Sequence, residues 1–169
     1  MATAESTKAG VELSVTIERM TEHDLLEVCQ IENMSELSAW GWDAYYAELR
    51  SGFDTIMLVA RVDPAFHGFG LAGFIVARLI AGEMHVNNVA VRPEFRRTGI
   101  GLRLLQTTLT TAAKAGATVA HLEVRAGNEA AQALYSLCGF QFIGRRKNYY
   151  RQPVEDALLM SLSFQMNLE

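Results

Sequence analysis

Arg96-Arg97-Thr98-Gly99-Ile100-Gly101 lies between an apolar strand pattern, Asn88-Val89-Ala90-Val91, and a helical pattern that starts at Leu102. Two glycines, one residue apart at a strand-to-helix junction, let the backbone curl with several N–H groups pointing inward. The helix that follows adds its unpaired first-turn donors and the positive end of its dipole. The stretch therefore predicts an anion cradle with arginines on its rim, and a diphosphate would use more of its donors than a monophosphate. The plainer alternative is a glycine-rich helix entry with two solvated arginines, which has no use for glycines and arginines together. The spacing is not that of a Walker loop, because no Lys-Ser or Lys-Thr follows Gly101, nor that of a dinucleotide motif, whose third glycine and acidic ribose ligand are missing. Gly68-Phe69-Gly70-Leu71-Ala72-Gly73 does spell GxGxxG, but a strand pattern follows where that motif needs a helix, so it reads as a hairpin loop.

Outward from the cradle, the hydrophobic period changes twice. On the N-terminal side, Val15–Glu18 alternates as a first strand, and Thr21 with Asp24 forms a helix-start signature for a helix over 24–34. A second short helix is expected over 42–49. Runs at 55–62, 71–80 and 84–91 read as three strands joined by short loops, the last two through the turn around Ala81-Gly82-Glu83, and predict an antiparallel meander. On the C-terminal side, Leu102, Leu104, Leu105, Leu109 and Ala112 make one apolar helical stripe that ends near Gly116. A strand at 118–124, a helix at 128–138, and strands at 141–146 and 157–164 follow. The expected fold is α+β: one domain over 15–166 with a mixed sheet, an antiparallel meander followed by a right-handed βαβα unit.

Composition narrows the function classes. Half of the 169 residues are hydrophobic and only three are proline, which suits one folded domain with its own core. The net charge of −4 argues against sequence-independent nucleic-acid binding and is compatible with a basic protein as substrate. Cys29 and Cys138 lack CxxC or metal-ligand spacing and read as buried free thiols, so neither a disulfide nor a metal is expected. No apolar run is long enough to span a bilayer, and residues 1–10 lack a signal-peptide core, so a cytoplasmic protein with a frayed leader over 1–14 and no membrane contact is expected.

The cradle resembles the hallmark of the GNAT superfamily of N-acetyltransferases: Arg or Gln, two variable residues, Gly, one variable residue, then Gly or Ala, filled here by Arg96, Gly99 and Gly101. The run His121-Leu122-Glu123-Val124-Arg125-Ala126-Gly127-Asn128, continuing through Ala133-Leu134-Tyr135 to Gly139-Phe140, resembles the bacterial ribosomal-protein alanine N-acetyltransferases of the RimI type. So do Gly144–Tyr150 and Glu155-Asp156-Ala157, and the likeness covers nearly all of 86–160. It implies a GNAT-like fold and acetyl-coenzyme A as acetyl donor. It further implies that Val89, Ala90 and Val91 bond the pantetheine arm through strand backbone. Arg97, Thr98, Gly99, Ile100, Gly101 and Leu102, with Arg96 at the start of the motif, would hold the pyrophosphate, and Asn128 would contact the coenzyme. Asn128 also suits an ordinary helix N-cap.

Acyl transfer from a thioester to an amine needs a deprotonated amine, a polarised carbonyl and a proton for the departing thiolate. By residue type alone, Glu123 reads as a strand-end carboxylate paired with Arg125 or Arg103, and Tyr135 as a half-buried helical aromatic. The resemblance implies that Glu123 is the proton acceptor and Tyr135 the proton donor. His85 reads as a lone solvated strand residue. Where the RimI-type enzymes commonly have Phe-Pro-Trp-Ser beside the acceptor, this chain has Ser38-Ala39-Trp40-Gly41. Trp40, Trp42, Tyr45 and Tyr46 suit either a peptide groove or the core, and Tyr149 and Tyr150 either an acceptor cap or a strand start. The leading expectation is transfer of acetyl to the α-amine of a protein, an Ala-starting ribosomal protein. The alternatives are a small-molecule or lysine-amine acetyltransferase on the same scaffold, and a non-catalytic acyl-coenzyme A binding module, against which the presence of both Glu123 and Tyr135 argues.

Overall fold

Ala81 and Gly82 both take positive φ, 51° and 82°, the mirror-image turn whose twist suits two antiparallel strands. They join β3 (Leu71–Ile80) to β4 (Glu83–Val91) in the computed structural model, which describes residues 13–35, 39–52 and 54–165. Before them come β1 (Thr16–Arg19), α1 (Leu25–Asn33), α2 (Gly41–Arg50), β2 (Thr55–Arg61) and a one-turn α3 (Pro64–His67). After them come α4 (Ile100–Lys114), β5 (Val119–Arg125), α5 (Glu129–Leu137), β6 (Gln141–Arg151) and β7 (Val154–Ser163). The strands form one seven-stranded sheet in the order β1-β2-β3-β4-β5-β7-β6, parallel only between β4 and β5. β2, β3 and β4 are the expected three-stranded meander, β1 adds to it antiparallel to β2, and β4-α4-β5 is the expected crossover.

Two departures from the sequence reading matter for the site. The strand expected to stop at Arg146 runs on to Arg151, and its partner starts at Val154. That β7 folds back between β5 and β6, so β6, the strand that follows α5, lies at the sheet edge rather than beside β5. The extension hides from a period-2 search because nearly every residue of β6 is exposed and two register irregularities break the alternation. The other departure is α3, where Asp63 accepts from the Ala65 N–H at 2.8 Å and Pro64 opens the turn, a helix start read from sequence only as a break. The capping box of Thr21 and Asp24 forms as expected. Residues 1–12 of the leader expected over 1–14, Ser38, and residue 166 at the expected end of the domain lie outside the described residues.

Helices cover the sheet from both sides. The continuous buried run Leu71–Ala77 of β3 faces both layers. On one side, Ile100, Leu104, Leu105 and Ala112 of α4 pack with Ile75, Met84, Val86, Leu122 and Val124, and Tyr135 of α5 joins them. On the other, Val28 and Ile31 of α1 and Tyr45 of α2 pack on Val59, Phe74, Val76 and Ala90. Each fully buried leucine of α4 is worth roughly 1.5–3 kcal/mol, against about 1 kcal/mol for a typical N-cap, which Gly99 has no side chain to supply.

Buried polar groups tie the second layer to the sheet. Glu32, 2% exposed, accepts from Trp40 N–H at 2.8 Å, Gly41 N–H at 3.1 Å and the Tyr45 hydroxyl at 2.6 Å, and that hydroxyl accepts from Asn88 Nδ2 at 2.9 Å. One carboxylate thus links α1, the start of α2 and β4. Burial first, and then the bond to Glu32, push the Tyr45 phenol far above its usual range. Glu27 does similar work at the other end of α1, taking the N–H groups of Gly70 and Leu71 and pairing with the buried Arg92 at 3.0 Å.

Candidate active site

β4 and β5 pair only from Glu83/Val119 to Val86/Leu122. The cause of their parting is local. Against β3, Val86 pairs with Ala77 and Asn88 with Val76, so Asn87 is an extra residue, a bulge that bends β4 away. β5 keeps to the other side, with Glu123, Val124 and Arg125 paired to Leu159, Leu158 and Ala157 of β7. Between the two strands opens a cleft of about 510 Å³. Asn88 and Val89 line one wall and Glu123 to Arg125 the other, with Asn128, Ala131 and Tyr135 from α5 and Trp40, Arg146, Tyr149 and Tyr150 from the opposite side. Since Tyr135 packs in the α4 layer and Trp40 in the α1/α2 layer, the cleft passes through the sheet.

Before α4 the backbone curls as the glycine spacing predicts. Arg97 and Gly99 are left-handed, φ 64° and 85°, and the first backbone bond of α4 runs from Arg103 N–H to the Gly99 carbonyl at 3.0 Å. The N–H groups of Ile100, Gly101 and Leu102 therefore precede the helical ladder. The two glycines have different duties. A Cβ on Gly99 would have no heavy atom within 4 Å, so its requirement is the backbone angle and the space above it is open. A Cβ on Gly101 would meet Leu134 at 3.3 Å, so this glycine lets α4 lie close to α5. Arg96 donates to the carbonyls of Val91 and Met34, both at 3.2 Å, and so binds the cradle to the end of β4 and of α1. Thr98 donates to the Phe95 carbonyl, tightening the turn. Asn128 is an N-cap, its Oδ1 accepting from Ala131 N–H at 3.1 Å, and it lines the cleft as well.

The structure brings Glu123 and Tyr135 to the same cleft. Glu123 lies on the face of β5 away from Leu122 and Val124, and its partner corrects the sequence reading: Oε1 is 3.0 Å from Arg146 Nη1. Arg125 is instead spent on the hairpin, donating to the carbonyls of Gln152 and Pro153, pairing with Glu155 at 3.3 Å and standing 4.1 Å from the Tyr150 ring centre. Arg103 donates to the Val15 carbonyl. Hydrogen bonding to Glu123, with some burial, holds the Tyr149 phenol above its usual range, while Arg146 opposes. Burial, then the charge of Glu123, raises Tyr150. Tyr135 is the most secluded of the three phenols, raised well above its usual range by burial and then by Tyr150.

Several features escaped the sequence reading. His85 is not alone: it pairs in register with His121 across the β4/β5 junction, ring centres 5.5 Å apart, and both line the cleft. The aromatics near Trp40 divide, with Trp40 in the cleft, Tyr45 in the core, and Trp42 and Tyr46 stacked at 4.8 Å with Trp42 exposed. Tyr149 and Tyr150 end a strand and line the cleft at once. Cys29 and Cys138 are free as expected but half-buried rather than buried, their thiols pushed up by the burial they have. No described helix is long and apolar enough to cross a membrane.

Known proteins share this arrangement. Residues 22–140 match the acetyltransferase (GNAT) family. The ribosomal protein bS18-alanine N-acetyltransferase of Salmonella typhimurium is 31% identical over 153 residues, covering 89% of this chain and 99% of its own. The N-alpha-acetyltransferase RimI of Mycobacterium tuberculosis is 45% identical over 78 residues, 46% of this chain and 48% of its own. The crystal structure of the ribosomal-protein-S18-alanine N-acetyltransferase from Escherichia coli superposes with a TM-score of 0.78 at 28% identity, covering 92% of this chain and 99% of that one. By its sequence and by the cleft, cradle and sheet order together, the chain belongs to the acetyltransferase (GNAT) family and is an acetyl-coenzyme A dependent N-acetyltransferase.

Proposed function

We propose that this protein acetylates the α-amine of a protein chain that begins with alanine, a ribosomal protein being the acceptor. The observation that carries the reading is the cleft through the sheet, with a carboxylate at one side and a secluded phenol at the other. The names of the Salmonella and Escherichia coli relatives support the acceptor. Acetyl-coenzyme A supplies an activated thioester acyl group. The chain fits it: the Gly99 backbone leaves open space above the free N–H groups of Ile100, Gly101 and Leu102, with Arg97 and Thr98 beside them, and β4 from Val89 to Val91 has left its β5 partner. Arg96 and Asn128 shape that site through the bonds they make to backbone.

Within this reading, Glu123 takes a proton from the acceptor ammonium at its carboxylate, directly or through one water. An α-amine has a pKa of about 7.7–8.0 against about 10.4 for lysine, so an ordinary carboxylate serves it better. Tyr135 holds a proton at its hydroxyl on the other side of the sheet and is the donor there. A cytoplasmic place of action, over a domain spanning 15–166, belongs to the same proposal and accords with two unpaired thiols. The test is kcat/KM for an Ala-starting ribosomal peptide against the same peptide blocked at its N-terminus but carrying a free lysine. The free α-amine should be acetylated and the blocked peptide left untouched. Equal or better use of the blocked peptide would make this a lysine acetyltransferase, and no activity on either would point to a small-molecule acceptor.

A further inference from the structure

β6 is irregular where it passes the cleft. Against β7, Arg146 pairs with Ala157 and the next pair is Tyr150 with Glu155, so Lys147, Asn148 and Tyr149 of β6 span the place of Asp156 alone. In a regular strand, residues three apart point to opposite faces. Here the extra residues, with Asn148 at φ 51° and its N–H held by Asp156 Oδ1 at 2.9 Å, return Tyr149 to the side of Arg146. Arg145, the neighbour that points away, pairs with the same Asp156 at 3.0 Å and braces the bulge. The result is that Arg146, paired with Glu123 at 3.0 Å, and Tyr149 line the cleft together with that carboxylate, the guanidinium 5.4 Å from the Tyr149 ring centre.

The geometry points to Arg146 as a specificity-determining positioning residue: an internal stand-in for the acceptor's ammonium group, which holds the Glu123 carboxylate aimed until a cationic α-amine displaces it. The inference rests on the assignment of Glu123 as proton acceptor. Arg146 and an α-ammonium carry the same charge and seek the same oxygen, so they compete. The competition is mild, because the Arg146 side chain is 54% exposed and such a pair is screened by water. An acceptor that brings no positive charge gains nothing from displacing the arginine. The other charged or titratable groups near the carboxylate do not duplicate it: Arg125 is tied to the hairpin, and His121 and His85 sit farther along the cleft at the paired part of β4 and β5.

Calorimetry on the complex with coenzyme A tests this without turnover, at pH 6.5, where an α-amine is protonated. The ligands are an Ala-starting peptide and its Nα-acetylated form. Arg146→Gln should tighten binding of the free-amine peptide by about 2–5-fold, the factor expected for release of one exposed ion pair, and leave the acetylated peptide unchanged. Arg146→Lys should behave as the wild type, and the gain should shrink at high salt. In a Glu123→Gln background, Arg146→Gln should no longer matter. Unchanged or weaker binding by Arg146→Gln, an equal gain for the acetylated peptide, or a gain that persists without Glu123 would each overturn the proposal. Turnover of Glu123→Gln separates the two assignments: if it stays near normal while the binding cycle shows coupling, Glu123 is not the base but Arg146 still competes for it.

Discussion

At the scale of single residues, Glu123 and Tyr135 meet a common gap from opposite layers, and burial sets them apart. Glu123 keeps access to solvent and pairs with Arg146 at 3.0 Å. Tyr135 is enclosed, and its phenol, held well above the usual value of about 10, stays protonated across neutral and mildly alkaline pH. Glu123→Gln and Tyr135→Phe should each lower kcat by roughly 10²–10⁴-fold, the usual worth of a positioned proton-transfer group, with coenzyme affinity nearly unchanged. Steady-state kinetics with calorimetry for the coenzyme checks both. If both variants turn over normally, solvent carries the protons and positioning alone drives transfer. Both residue types were visible in the chain, but the partner of Glu123 was not, since choosing among Arg103, Arg125 and Arg146 requires knowing which strands lie side by side.

At the scale of elements, the strand-loop-helix unit from β4 to α4 was legible because its signals are local: apolar alternation, then left-handed glycine, then a stripe at helical spacing. Gly99 allows a clean test of the cradle. Its φ of 85° strains any β-branched side chain, while open space around it excludes a packing clash as the reason for failure. Gly99→Val should abolish measurable coenzyme binding or weaken it at least tenfold in a folded protein, read by calorimetry, and lower stability by about 1–2 kcal/mol. Gly99→Asn, which tolerates the left-handed region, should regain stability. Unaltered coenzyme affinity in folded Gly99→Val would remove the cradle from the mechanism. β6 was less legible for the opposite reason: its bulge and its exposed faces erase the alternation that marks a strand.

At the scale of the whole molecule, function depends on two helical layers being held against a sheet that is itself split between β4 and β5. Glu48 of α2, buried beneath Arg78 of β3 and bonded to Thr55 of β2, is one of the anchors. The Arg78 guanidinium holds its carboxyl below the usual carboxylate range, against the opposing effect of burial and with help from Thr55. A carboxyl depressed in the folded state contributes stability that is complete above the unfolded value of about 4.3 and is lost as pH falls through the folded value. Glu48→Gln should therefore cost about 1–3 kcal/mol in urea unfolding at pH 7, nearer the lower figure because Arg78 is half exposed, and the gap to the wild type should close as pH drops below about 4.3. A gap that is constant or widens with acid would refute the anchor.

By itself the sequence determined the meander, the crossover helix, the glycine cradle and the residue types available for proton transfer, because each rests on neighbours within a few positions along the chain. Pairing between distant strands decided that β7 enters between β5 and β6, that the bulge at Asn87 opens the sheet, and that Arg146 pairs with Glu123. Those outcomes depend on register between strands distant in sequence, where one extra residue turns a side chain to the other face. The groups that define the active cleft thus come from local patterns, and their partnership comes from pairing that no local pattern specifies.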